Sequence, residues 1–276
     1  MNQASRIQCA KQTMEICQTG SYLAPGGRTV DFAAEIERAR GGTVIYSPQA
    51  PPPISARRRT GRTRIEVLNE TTFGALQRLA DGVDHVACLN FASANNPGGF
   101  LSGGQAQEEA LARSSALYPC LLRAPDYYER NRANRSTIYL DMVIFSPLVA
   151  FFRDDSGALL ETPIFASVIS APAPNAGAVA QNEPGNLVLL EPALRRRAEL
   201  VLQTAQGHEV DKIVLGAWGC GVFRNDPRMV AGIFSELLCL HGPFDKVFSE
   251  VVFAVFDPSE GQATYKTFVE VLGGGA

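Results

Sequence analysis

Between residues 62 and 256 the chain alternates short apolar runs with longer amphipathic ones, and this alternation constrains the fold more than any other feature. Residues 64–68, 83–90, 137–144, 164–170, 212–215 and 247–256 read as strands. Residues 72–80, 105–122, 192–206 and 227–240 read as helices, the third with Leu194, Ala198, Val201 and Leu202 on one side. Strands that alternate with helices predict a parallel or mixed sheet covered on both faces, a three-layer α/β/α sandwich. Ligands of such sheets bind beyond the C-terminal ends of the strands. The loops that follow residues 90 and 215 are therefore the places to look for a site.

The first sixty residues are patterned differently. Ile7, Ala10, Met14 and Cys17 fall at helical spacing, which predicts an amphipathic helix over 6–18. Pro25-Gly26-Gly27 breaks the chain, and Asp31 then caps a second short helix with Phe32, Ile36 and Ala39 on one face. Residues 43–46 suit a strand, and Ala50-Pro51-Pro52-Pro53 suits only a linker or wrapping arm. This predicts a helical accessory region over 1–60 and an α/β domain over 61–276.

Composition narrows the function classes. A chain of 276 residues that is 46% hydrophobic with a net charge of −3 is neither disordered nor a general nucleic-acid binder, which would carry a basic excess. No apolar run approaches the roughly 18 residues that span a bilayer, and no leader-like N-terminus is visible. Six scattered cysteines and three isolated histidines give no zinc-ligand spacing, so neither metal nor cofactor is expected, and reduced thiols fit a cytoplasmic protein. The basic residues are 21 arginines and 4 lysines. Arg57-Arg58-Arg59, with Arg62 and Arg64, and Arg195-Arg196-Arg197 form two clusters that read as solvated faces rather than surfaces for an anionic polymer.

The first loop carries Asn95-Asn96-Pro97-Gly98-Gly99-Phe100 and Gly103-Gly104, then opens a helix at Gln107-Glu108-Glu109. Glycine lets the backbone approach a ligand closely, and a helix N-terminus offers unpaired N–H groups to an anion. The glutamates suit catalysis, but acids also favour the first turn of any helix. Adjacent helical residues point about 100° apart, so only one of the two is expected to face the loop directly. A helix N-terminus lowers a carboxyl pKa, so a general acid here needs burial to raise it. The second loop, Gly216-Ala217-Trp218-Gly219-Cys220-Gly221-Val222-Phe223, again follows an apolar strand, and Pro227 opens the next helix. It suits an anion-cradling turn and, equally, a structural one. Two such loops at one sheet edge match a diphosphate, which needs donors from more than one side.

Pro97-Gly98-Gly99 followed by Gln107-Glu108-Glu109 resembles the signature of poly(ADP-ribose) glycohydrolases. The text around it, Asn90-Phe91-Ala92-Ser93 and Ala110-Leu111-Ala112-Arg113-Ser114-Ser115, is similar to their compact microbial branch. Residues 139–155 and 167–175 are similar to it as well. The chain departs from the signature in having two glycines after Pro97, where the family usually has three.

The resemblance implies a macrodomain fold and hydrolysis of ribose–ribose O-glycosidic bonds in poly(ADP-ribose). Glu109 would act as general acid and base, and Glu108 would hold ribose hydroxyls. Substrate contacts would come from Asn95, Asn96, Gly98, Gly99, Phe100 and Gln107. In the diphosphate-binding loop they would come from Gly216, Gly219, Cys220, Gly221, Val222 and Phe223, with Phe223 against the terminal ribose. The implied partners are poly(ADP-ribose) or ADP-ribosylated proteins, with ADP-ribose as product and no membrane or sequence-specific nucleic acid. Two readings stay open beside it: a non-catalytic ADP-ribose reader, and a hydrolase of ADP-ribose attached to protein or nucleic acid. A nicotinamide dehydrogenase is disfavoured, because no Gly-x-Gly-x-x-Gly follows the first strand with an acidic residue about 20 positions on.

Overall fold

The structure, a computed structural model, describes residues 1–80, 82, 84–239 and 241–273. The N-terminal segment forms α1 (Gln3–Thr19), a hairpin of β1 (Ser21–Leu23) and β2 (Thr29–Asp31), α2 (Ala33–Gly41) and β3 (Val44–Tyr46). There follow β4 (Arg64–Leu68), α3 (Thr72–Leu79), β5 (Val86–Phe91), α4 (Gln107–Ser114), α5 (Leu117–Leu121) and α6 (Pro125–Ala133). The chain continues through β6 (Val143–Arg153), β7 (Leu159–Ala171), α7 (Ala176–Asn182), α8 (Leu190–Gly207) and β8 (Lys212–Gly216). It closes with α9 (Pro227–Leu238), β9 (Glu250–Ala254) and α10 (Ala263–Leu272).

Seven strands form one mixed sheet in the order β3-β6-β7-β5-β8-β9-β4. The β3/β6 and β6/β7 pairs are antiparallel, and every pair from β7 to β4 is parallel. The inner strands are apolar because both faces are covered. Ala87, Leu89, Ile213, Leu215, Val251 and Phe253 pack with α8, α9 and α10. Their neighbours Val86, Cys88, Val214 and Val252 pack with α3, α4, α5 and α6. The period of two along each strand therefore feeds two separate cores, which makes the three layers of an α/β/α sandwich. Among the described residues no helix is long and apolar enough to cross a membrane.

The N-terminal segment is built into this body. Strand β3 is an edge strand of the main sheet. Ile16, Tyr22, Val30, Phe32 and Ile36 bury against Ala116, Ala150 and Phe152.

Several expected elements are revised. The single helix expected over 105–122 is two, because Ser115 is extended (φ −147°, ψ 174°) and bridges to Phe151. Its hydroxyl donates to the Leu111 carbonyl at 2.7 Å and accepts from the Leu117 N–H at 3.2 Å, ending one helix and starting the next. The strand expected from 137 begins only at Val143. Residues 138–141 are instead drawn into a loop by the Arg197 guanidinium, which donates to the Ile138 and Tyr139 carbonyls and to Asp141. The final strand expected over 247–256 spans only Glu250–Ala254. Val83 and Leu240, placed in a strand and a helix by the sequence reading, lie outside the described residues. Helices α6, α7 and α10 were not anticipated.

The first arginine cluster is largely a solvated face, with Arg57, Arg58, Arg62 and Arg64 exposed, and the second is not. Arg57 and Arg59 both pair with Asp211, and Arg195 pairs with Glu191 and Glu236. Arg197 is fully buried.

Candidate active site

Strands β7, β5 and β8 run parallel, so Ala171, Phe91 and Gly216 end at one edge of the sheet. Both glycine-rich loops leave from that edge. Trp218, fully buried, donates its indole N–H to the Ala171 carbonyl at 3.1 Å and ties the second loop to the end of β7. Asn225 ties the same loop to the Pro174 and Gly219 carbonyls at 2.8 and 3.2 Å.

The first loop is pinned by side chains that a motif reading treats alike but the fold uses differently. Gln107 accepts from the Phe91 N–H at 2.8 Å and donates to the Leu89 carbonyl at 2.8 Å and to Thr72 Oγ1 at 3.1 Å. Its amide is thus engaged at the end of β5 and anchors the helix. Phe100, also expected to touch substrate, is fully buried with Ala10 and Ala112 and meets the Tyr118 ring edge-on at 5.3 Å. An apolar ring beside three apolar neighbours is drawn into the core and leaves no surface for a ligand. The N–H groups of Asn95 and Asn96 both donate to Ser93 Oγ at 3.2 Å, and Arg132 on α6 holds the Asn95 carbonyl at 2.7 Å. Both asparagines are exposed, as is Gly99.

Both glutamates meet this loop, where only one was expected to. Glu108 is 4% exposed. Its Oε2 accepts from the Ser93 N–H at 2.8 Å and its Oε1 from Asn90 Nδ2 at 3.3 Å. Burial pushes its pKa up to about 7, against the pull of those hydrogen bonds and with a smaller push from Glu109. Glu109 is half-buried and lies against the backbone of two glycines. A β-carbon at Gly99 would stand 2.9 Å from its Oε1, and one at Gly104 would stand 2.8 Å from its Cγ. Among the described residues its Oε2 is buried without a hydrogen-bond partner. Of the two carboxyls, Glu108 has both oxygens hydrogen-bonded, and Glu109 has neither hydrogen-bonded among the described residues.

In the second loop Gly221 and Val222 are exposed, Val222 by 85%, while Gly219, Cys220 and Phe223 are half-buried. Gly216 is the last residue of β8 and is buried. Burial pushes the Cys220 thiol up to about 12, so it stays protonated and is no nucleophile at neutral pH. The Phe223 ring stands 6.2 Å from that of Tyr139, and its carbonyl accepts from the Gly177 N–H at 3.0 Å. Tyr139 (φ 62°), Ser93, Trp218, Asn225 and Arg132 shape the site without having been singled out in the sequence. Trp218 and Asn225 lay inside the second loop and were open to suspicion, whereas nothing in the sequence marks Arg132. Among the described residues no three His, Cys, Asp or Glu side chains are arranged to hold a metal ion.

The chain matches the model of the family described as microbial-type PARG, catalytic domain, over residues 10–154. It is 44% identical to poly(ADP-ribose) glycohydrolase from Thermomonospora curvata, with 97% of this chain and 99% of that chain covered and a TM-score of 0.92. A structure of the same protein bound to the inhibitor ADP-HPD matches at 43% identity and a TM-score of 0.88, over 97% of this chain and 99% of that one. The enzyme from Deinococcus radiodurans, in complex with ADP-ribose, matches at 45% identity over 87% of this chain and 97% of that one, with a TM-score of 0.80. No curated protein matches the chain. The paired glutamates, the two loops at one sheet edge and this identity along almost the whole length make the chain a member of the microbial-type poly(ADP-ribose) glycohydrolase family.

Proposed function

We propose that this chain hydrolyses the ribose–ribose O-glycosidic bonds of poly(ADP-ribose) and releases ADP-ribose, with Glu109 as the general acid and base. The observation that carries the assignment is the asymmetry of the two carboxyls. Glu108 is buried and doubly hydrogen-bonded, and Glu109 faces Gly99 with no hydrogen bond to either oxygen among the described residues. Glycoside hydrolysis needs a proton for the leaving oxygen and a base for water at the anomeric carbon. Glu109 gives its proton to the departing ribose hydroxyl and takes one back from the attacking water, so the group ends as it began. The lone pairs left on Glu108 hold ribose hydroxyls. Asn95, Asn96, Gly98 and Gly99 position that ribose. Gly216, Gly219, Cys220, Gly221 and Val222 cradle the diphosphate, largely by backbone N–H groups, and Phe223 lies against the terminal ribose. A backbone cradle also suits a chain with a net charge of −3, because the anion is met by dipoles rather than by an excess of cations. ADP-ribosylated proteins are the natural carriers of this substrate. The six free cysteines accord with a cytoplasmic location.

The decisive experiment compares release of ADP-ribose from purified polymer by the native chain and by Glu109→Ala. General acid–base help is worth about 10²–10⁴-fold, so turnover should fall by at least that much while ADP-ribose binding survives. Equal turnover by the variant overturns the assignment.

A further inference from the structure

Glu109 rests on a wall whose own support comes from outside the two ligand loops. The shaft of Glu109 packs on the α-carbon of Gly104, where a β-carbon would fall 2.8 Å from Cγ and 3.1 Å from Cδ. The peptide group on each side of that α-carbon is gripped by an arginine. Arg6 Nε, on α1, donates to the Gly103 carbonyl at 2.6 Å. Arg113 Nη1, one helical turn beyond Glu109 on α4, donates to the Gly104 carbonyl at 2.8 Å.

The same helix α1 braces the turn in other ways. Gln3 donates to the Ser102 carbonyl at 3.2 Å, and a β-carbon at Gly103 would stand 3.0 Å from Gln3 and from Ile7. Thr13 donates to the Arg113 carbonyl at 2.6 Å and accepts from Arg153 at 3.2 Å, joining α1, α4 and β6. Arg113 is only 5% exposed. Among the described residues, the hydrogen bonds made by the two guanidinium groups all end on backbone carbonyls. Desolvating cations for neutral partners is costly, so their contribution is geometric rather than a gain from ion pairing.

We propose that Arg6 and Arg113 are positioning residues for Glu109: they lock the two peptide groups that flank Gly104 and so fix the surface on which the acid–base carboxylate rests. Helix α1 is then part of the catalytic apparatus and not only an extension of it. The inference rests on Glu109 being the acid–base group. A glycine pair freed from its clamp samples many backbone states, and a displacement of about 1 Å at a reacting group costs about 10²-fold in rate.

The test measures kcat and KM for ADP-ribose release from purified poly(ADP-ribose), the Kd for ADP-ribose, and Tm, on the full chain. Arg6→Met keeps the aliphatic stem and removes the donor. It should lower kcat by about tenfold to a hundredfold while KM and Kd stay within about twofold. Arg6→Lys should recover part of the loss, because an ammonium still makes a charge-assisted bond to the Gly103 carbonyl. Gly103→Ala, which pushes the turn off α1, should show the same split between kcat and Kd, and it carries the test if Arg6→Met does not fold. A kcat equal to wild type overturns the inference, and so does a loss of kcat matched by equal losses in Kd and Tm without rescue by lysine. A native chain that releases no ADP-ribose overturns the proposed function, and this inference with it.

Discussion

The carboxylate of Glu109 and the backbone of Gly99 are in direct contact: a β-carbon at Gly99 would lie 2.9 Å from Oε1. Gly99 also has φ of 57°, a conformation that costs about 1–2 kcal/mol for other L-residues. Gly99→Ala should therefore do two separable things. It should destabilise the chain by about 1–2 kcal/mol in urea unfolding, and it should displace Glu109 and lower kcat by about 10²-fold. A variant that loses the stability but keeps the rate would show that Glu109 does not need this wall.

Glu108 makes stability depend on pH in a direction opposite to that of most carboxyls. Its pKa rises from 4.5 to about 7 on folding, chiefly through burial. Between those values the folded chain holds a proton that the unfolded chain has lost, so stability falls as pH rises through this window. The full cost above pH 7 is about 3 kcal/mol. Glu108→Gln carries no charge to desolvate. Asn90 Oδ1, buried without a partner among the described residues, becomes an acceptor for the new amide if Asn90 flips. Unfolding free energies measured from pH 4.5 to 8 should show the wild type losing about 3 kcal/mol relative to Glu108→Gln. A pH-independent difference would remove Glu108 as the source.

The features legible in the sequence are those whose physics is local. An inner parallel strand must be apolar on both faces, so β5 and β8 stood out as short runs. The glycines of the two loops stood out because few other residues tolerate such close approach. What stayed hidden depends on which way a side chain points. Arg195, Arg196 and Arg197 look alike in the chain, yet successive helical positions turn about 100°. The first meets Glu191 and Glu236, the second Asp141, and the third enters the core. Gln107 and Phe100 sit within the catalytic signature but are spent on β5 and the core. The split at Ser115 turns on one hydroxyl, and no glycine or proline between Gln107 and Tyr118 announces it.

Glu183 latches the wall beside Phe223. Its half-buried carboxylate accepts from Ser136 Oγ, the Thr137 N–H, Thr137 Oγ1 and Asn186, and these bonds hold its pKa down to about 2. Such a group stabilises the fold above its ordinary pKa of 4.5, and the contribution is lost as pH falls toward 2. The Thr137 carbonyl in turn accepts from the Asn175 N–H at 2.9 Å, just before α7. Glu183→Gln has one acceptor oxygen for four donors, so the Thr137 amide should exchange with solvent faster at pH 7. The difference from wild type should shrink only as pH falls toward 2, where the native carboxylate itself protonates. Unchanged exchange at neutral pH would show that the latch does not hold this loop.

Arg197 holds the same wall from beneath. Its guanidinium, fully buried, donates to the Pro172, Ile138 and Tyr139 carbonyls at 2.6, 3.0 and 3.2 Å and to Asp141 at 3.1 Å. Three of those partners lie in one loop, which carries Tyr139 at φ 62° beside the Phe223 ring. Arg197→Met fills much of the space but leaves three carbonyls without their donor and the largely covered Asp141 carboxylate with Arg196 as its remaining partner. Breaking a buried pair on one side costs about 3–5 kcal/mol, and that loss is expected in urea unfolding of Arg197→Met. Adding Asp141→Leu removes the carboxylate that has lost its buried partner and should recover part of it. The carbonyls of Ile138 and Tyr139 remain unpaired in the double variant, so ADP-ribose affinity should stay below wild type even where stability returns. Full recovery of both would mean that Arg197 serves only to neutralise Asp141 and does not shape the wall against which Phe223 stands.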